Sequence, residues 1–228
     1  MDAIDVFGIL FISILVIFLG YTLGVIVLKM TNPKKHFIWI YHGIPHMMSV
    51  PDLTKSQYYD LFPDKSMNWL GCYPTIDDVV LKDIADNISA KCRNKSDSYK
   101  YGFVLAFVQQ NIKYVSDIKH YGDEEIWCLP IQTLKERTGD CEDTAILYCS
   151  IIHLMDLDTC LAIVPGHAVS GAKNGLGASF ECSGRKYYFA ETTSVIPIPG
   201  FYTASKNVRY CATPILPVKE FLDSLHKR

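Results

Sequence analysis

Residues 138–172 read TGDCEDTAILYCSIIHLMDLDTCLAIVPGHAVSGA, and the way this stretch changes period decides the fold. Thr138-Gly139-Asp140 forms a turn, and a helix begins at or just before Cys141, with Ala145, Ile146, Tyr148, Cys149 and Ile152 turned to a core. After Met155-Asp156-Leu157-Asp158 the helical spacing stops. TCLAIVP (159–165), HAVSGA (167–172) and KYYFAETT (186–193) are strand-like runs separated by Gly-rich turns. Helices followed by at least three strands with short connections predict a meandering antiparallel sheet with a helix packed on it, an α+β domain.

Two helices are expected upstream. In TIDDVVLKDIADNISAKC (75–92) the apolar residues Ile76, Val79, Val80, Ile84 and Ile88 recur at helical spacing, with Thr75 as the cap and Asp77 and Asp78 in the first turn. A second helix is read over 99–114, followed by a loop crowded with aromatic and acidic residues and by Pro130. Residues 29–74, rich in Pro, His, Met and Tyr, show no sustained period and read as a linker and irregular lead-in. Downstream, 194–217 carry four prolines and no clear period, and VKEFLDSLHKR (218–228) reads as a short amphipathic helix.

The N-terminus has a different composition. Residues 6–28, VFGILFISILVIFLGYTLGVIVL, are 23 residues without a charge, and a bilayer core of roughly 30 Å takes about 20 helical residues. The chain begins MDAID, with no lysine or arginine before Lys29, so the stretch reads as a retained transmembrane anchor and not as a cleaved signal. Residues 1–5 are then a short tail, and lipid is one expected partner. Lys29, Lys34 and Lys35 follow the span, which by the positive-inside rule puts the large C-terminal part in the cytoplasm. The eight cysteines include no C-x-x-C pair and are expected unpaired, as in a reducing compartment. Gly20 and Gly24 have the G-x-x-x-G spacing that allows close approach of two membrane helices, a homodimer option. Of 22 basic and 24 acidic residues only Asp2 and Asp5 precede the span, so the remainder is balanced and no nucleic-acid partner is expected.

The chemistry centres on Cys141. A helix N-terminus presents unpaired N–H groups and the positive end of the dipole, which favour a thiolate. Lowering a thiol by about 2.5 pKa units takes roughly 3.4 kcal/mol, more than the dipole supplies, so a histidine partner is needed. His167 opens a strand after Pro165-Gly166, within reach of a helix terminus packed on the sheet. Glu191, alone in an apolar strand, needs a partner for its carboxylate, and His167 is the obvious one. Asp140, Glu142 and Asp143 suit the helix N-terminus as they stand. No metal is favoured from these residues, since three acids in four positions are only a start on the six to eight oxygens that calcium takes. Cys149 and His153, four apart, read as core packing and not as metal ligands.

The runs WCLPIQTLKERTGDCEDTAIL (127–147), PGHAVSGA (165–172) and YYFAETT (187–193) resemble the transglutaminase-like superfamily of cysteine enzymes, its microbial members especially. The resemblance covers roughly residues 100–195. It implies a papain-like triad of Cys141, His167 and Glu191 over an antiparallel sheet within a domain at 75–228, although the third member in that superfamily is more often Asp. It implies an oxyanion hole from the Cys141 N–H and an upstream side chain, with Gln110, Trp127 and Gln132 as candidates. It also brings the calcium option, since some bacterial periplasmic proteases of the superfamily bind calcium through acids flanking the nucleophile. The expected activity is a membrane-anchored cysteine hydrolase, a peptidase or amidase, forming a thioester on Cys141 with a peptide or glutamine amide. Transglutaminase-type acyl transfer to an amine, a non-catalytic interaction module at the membrane and a structural subunit of a membrane complex are the alternatives.

Overall fold

The computed structural model describes residue 20 and residues 36–60, 75–122, 126–201 and 207–213. The apolar 6–28 stretch, Gly20 apart, and the helix expected over 218–228 both lie outside the described residues. Among the described residues no helix is long and apolar enough to cross a membrane. The chain divides into two compact units, residues 1–50 and 51–228.

The first unit corrects the reading of 29–74 as irregular. β1 (His36–Tyr41) and β2 (Ile44–Ser49) form an antiparallel hairpin in which Trp39 pairs with His46 and their rings stack. His42 and Gly43 make the two-residue turn, both at positive φ (49° and 74°), as a turn matching the right-handed strand twist requires. Phe37, Ile38, Trp39, Tyr41 and Met48 are buried. The His-Gly turn flanked by β-rich HFIWIY was the signal, and the Pro and Met content of the second strand hid it.

The second unit starts at Pro51, ahead of the expected domain boundary at 75, because residues just after Pro51 are tied to the first helix. A 3-10 turn spans Leu53–Lys55, the Ser56 hydroxyl donates to Asp78, and the Tyr58 hydroxyl donates to Asp77 Oδ1 at 2.7 Å. Asp78, not Thr75, caps α1 (Val79–Lys91): its Oδ1 accepts from the Val80 and Leu81 amides at 2.8 and 2.9 Å. Ser96 caps α2 (Asp97–Asn111), which ends three residues short of the expected Tyr114. The chain then enters β3 (Lys113–Tyr114), paired in parallel with β4 (Thr138–Gly139). Between them lie α3 (Asp117–Tyr121) and α4 (Pro130–Glu136).

α5 (Cys141–Leu154) is the axis of the unit. Every residue from Glu142 to Ile152 is buried, so this helix is enclosed on all sides. It packs on α1, α2 and α4 and on the strands β5 (Thr159–Val164) and β6 (His167–Ala172). With β7 (Ser179–Cys182), β8 (Arg185–Ala190) and β9 (Tyr210–Ala212) these strands form one antiparallel sheet in the order β7-β8-β6-β5-β9. The mixed architecture of helices on an antiparallel sheet is as expected; β7 and β9 are additional, each too short to show a period.

Ser170 faces α5, its hydroxyl donating to the Ala145 carbonyl at 3.1 Å. By the two-residue alternation of a strand, Val169 and Gly171 face the other way. There a second core gathers Cys160, Ala162, Val164, Val169, Phe180, Cys182, Tyr187 and Phe189. Gly171 is required at its centre, since a Cβ there would lie 2.4 Å from the Cys160 sulfur and 2.9 Å from Tyr187 Cβ. Four strand spacings would separate the edges of a flat sheet by about 19 Å. Yet Cys182 of β7 and Cys211 of β9 are joined by a disulfide with a Cα–Cα distance of 5.9 Å. The sheet therefore coils until its two edges meet. This pair corrects the expectation of unpaired cysteines: coiling about the second core brings together two residues 29 apart in sequence.

Opening this link with Cys182→Ser is expected to cost about 3.6 kcal/mol, from the unfolded-chain entropy of a loop of that length. Denaturation of the variant beside the parent under non-reducing conditions measures it, and mass mapping after alkylation should leave Cys182 and Cys211 of the parent unlabelled.

Candidate active site

The start of α5 is built from residues that hold one another. Gly139 is needed because a Cβ there would come within 2.7 Å of Asp143 Cβ. The Thr144 hydroxyl meets the Asp140 carbonyl at 2.7 Å and the Thr192 hydroxyl at 2.8 Å, which ties the first turn to the segment after β8. The Cys141 sulfur accepts a hydrogen bond from the Ala168 amide at 3.4 Å, so it lies beside the first residues of β6, where His167 stands. His167 Nε2 and Glu191 Oε2 are 2.7 Å apart. The other carboxylate oxygen, Oε1, accepts from the Thr193 amide at 2.9 Å and the Thr193 hydroxyl at 2.5 Å. The ETT run is thereby explained: Glu191 turns to the histidine, Thr192 to α5, and Thr193 back to Glu191.

Burial of Glu191 alone would raise its carboxyl, but the hydrogen bonds from His167 and Thr193 outweigh that and hold it below its ordinary value. Cys141 behaves otherwise than expected from the dipole. Burial pushes its thiol well above the usual range, the Glu142 carboxylate adds to the rise, and the Ala168 amide opposes it. The thiol donates to Glu142 Oε2 at 3.1 Å.

The flanking acids are not the solvated first turn of a surface helix. Asp140, Glu142 and Asp143 are all buried. Glu142 meets the sulfur, and Asp140 belongs to two groups whose ligand atoms lie within 4.8 Å of one another: one with Cys141 and Glu142, the other with Asp143 and the buried Asp117. The expected calcium trio is thus not one cluster. Asp117 and Asp143 also serve the backbone: Asp117 accepts from the Ile126 amide, and Asp143 Oδ1 from the Cys128 amide at 2.7 Å. Burial, against the pull of the Cys128 N–H and with the charges of Asp140 and Asp117 behind it, pushes Asp143 up to about 7.

The three oxyanion candidates separate. Gln132 Oε1 accepts from the Leu129 amide at 2.8 Å, completing the start of α4. Gln110 is exposed on the last turn of α2. Trp127 is half-buried and adjoins Cys128, whose amide is held by Asp143 in the first turn of α5. Cys149 takes its core role, its thiol donating to the Cys160 carbonyl at 3.3 Å.

Tyr114 was not singled out from sequence. Register pairing with Gly139 sets it beside the turn before Cys141, and its ring is 55% exposed. Partial burial, followed by the electrostatic influence of the neighbouring acidic groups Cys141, Asp140, Glu142 and Asp117, pushes its phenol up. Only the parallel β3–β4 pair brings it there, and two-residue strands leave no periodic trace.

No family model matches this chain, and no curated protein sequence is similar to it. Among solved structures it is similar to Legionella pneumophila LapG, with a TM-score of 0.41 and 14% identity over 55% of this chain and 76% of that one.

The state of Asp143 leads to a pH dependence. The folded protein keeps the Asp143 proton to about pH 7, whereas an unfolded aspartate releases it near about 4, so stability falls as pH rises through that window. Asp143→Asn keeps an acceptor for the Cys128 amide and removes the ionisation. In chelator-containing buffer its Tm relative to the parent should therefore rise from pH 5 to pH 8, as scanning calorimetry would show.

Proposed function

We propose that this protein is a membrane-anchored cysteine amidohydrolase of transglutaminase-like type, with Cys141 as nucleophile, His167 as base and acid, and Glu191 as the group that orients the imidazole. The observation that carries the reading is the oriented His167–Glu191 pair beside the sulfur at a buried helix N-terminus. With Nε2 turned to Glu191, Nδ1 is the nitrogen that serves the sulfur. Because the resting thiol is protonated, His167 takes its proton as the sulfur attacks the carbonyl of a peptide or glutamine amide. The imidazolium then protonates the leaving amine, and water, activated by the same histidine, resolves the thioester. The Cys141 N–H and the Trp127 indole N–H are the donors assigned to the oxyanion.

Calcium, where it binds, is assigned to Asp117, Asp140 and Asp143, an all-oxygen donor set of the kind a hard cation takes. It would offset three buried carboxylates and hold Asp143 ionised. Residues 6–28 are the anchor in this proposal. The Cys182–Cys211 disulfide favours the oxidising side of the membrane for the domain, against the lysine flank. The disulfide weighs more, because a long following domain translocates largely regardless of short-range charge. One observation favours the non-catalytic alternative, an interaction module: Glu142 holds the Cys141 proton.

Iodoacetamide at pH 6 separates the two. On the full chain, Cys141 is expected to alkylate at least about tenfold faster than the buried Cys149 and Cys160, and to lose that advantage in His167→Ala. Equal rates, or no response to the histidine, would falsify the catalytic reading. Protease added outside intact cells should digest the domain; its protection would return it to the cytoplasmic side.

A further inference from the structure

β8 ends at Ala190, whose partner is Ser170, the last ladder pair before the sheet lets the chain go. Glu191 is therefore one residue past the strand, in a segment whose path no strand pairing dictates. A carboxylate that must keep its bond to His167 needs its backbone held by something else.

Gln109, on the last turn of α2, supplies that hold. Its Nε2 donates to the Glu191 carbonyl at 2.8 Å and to the Ile196 carbonyl at 3.2 Å. One amide group thus pins the two ends of the 191–196 turn to a single helix. The helix is itself fixed: Tyr101 to Val108 are buried, and the Tyr101 hydroxyl donates to the Asp158 carbonyl at 2.6 Å. The orientation of the amide is dictated, because turning it over would aim Oε1 at two carbonyl oxygens. Oε1 is buried with no hydrogen-bond partner among the described residues. An unsatisfied buried acceptor is a cost the fold accepts to keep both donors on the turn.

We propose that Gln109 is a positioning residue for the reaction, holding the 191–196 turn so that Glu191 stays on His167 Nε2. This rests on the catalytic reading of the His167–Glu191 pair. Thr193 holds the carboxylate from within the turn, whereas Gln109 anchors the turn from α2.

The test uses the full chain in detergent micelles, comparing the parent with Gln109→Met, which keeps the side-chain length and removes both donors. Two readouts are followed beside Tm: the strongly deshielded N–H proton of the His167–Glu191 bond in proton NMR, and the iodoacetamide rate of Cys141 at pH 6. The proposal expects that proton signal to be lost or broadened and the alkylation rate to fall about tenfold, since small misplacements of a catalytic pair are costly. A lowered Tm with the signal and rate intact would mean that Gln109 is merely structural and would overturn the proposal, as would no change in any readout. If Gln109→Met does not fold, Gln109→Asn, too short to reach both carbonyls, is read in the same way. Should the parent's rate prove indifferent to His167→Ala, the catalytic reading falls, while the NMR signal still decides whether Gln109 holds the pair.

Discussion

Glu191 is a carboxylate almost wholly removed from water, and a charge in that position persists only when its oxygens are occupied. One oxygen takes the His167 ring and the other takes the amide and hydroxyl of Thr193, while Gln109 takes the backbone carbonyl. Much of the surrounding architecture serves these bonds. β6 brings His167, β8 delivers Glu191 to the same end of the sheet, and Thr192 ties the following turn to the helix that carries Cys141.

The buried helix α5 makes this arrangement rigid and also shapes its electrostatics. A helix enclosed on every side brings its first-turn acids inside with it, and burial first, then the Glu142 carboxylate, raises the Cys141 thiol where the dipole by itself would lower it. Asp143 answers the same confinement by keeping its proton into the neutral range. The site accordingly sets a buried thiol beside the end of β6 that carries His167, whose ring is paired with Glu191. On the far side of the sheet the second core lets the strands coil until β7 and β9 are joined, so the sheet that carries His167 has covalently linked edges.

Much of this was legible in the chain. The shift from helical to strand spacing after Met155 marks α5 and the sheet, and the polar neighbours of Cys141 and the lone Glu in KYYFAETT single out two members of the site. What escaped has physical causes. The His36–Ser49 hairpin was hidden by its Pro and Met content, and β3, β4 and β9 are too short to have a period. Thr75 and Asp78 are both good caps by type, and only the packing of Ser56 against Asp78 shows which one is used. The acids around Cys141 look like ordinary helix N-terminal residues in any linear reading, because burial is a property of what the rest of the chain places over them.

The sequence by itself determined the order of elements, the helix that bears Cys141, the strands that bear His167 and lead to Glu191, and the apolar stretch at 6–28, because these are written in local spacing and residue type. Tertiary structure alone decided the pairing of Cys182 with Cys211, the gathering of Asp117 with Asp140 and Asp143, the place of Tyr114 beside the turn before Cys141, and the hold of Gln109 on a segment 82 residues away. Each of those depends on contacts between residues distant in the chain, and on the loss of water around charged groups when the chain closes over them. Neither quantity has a local signature.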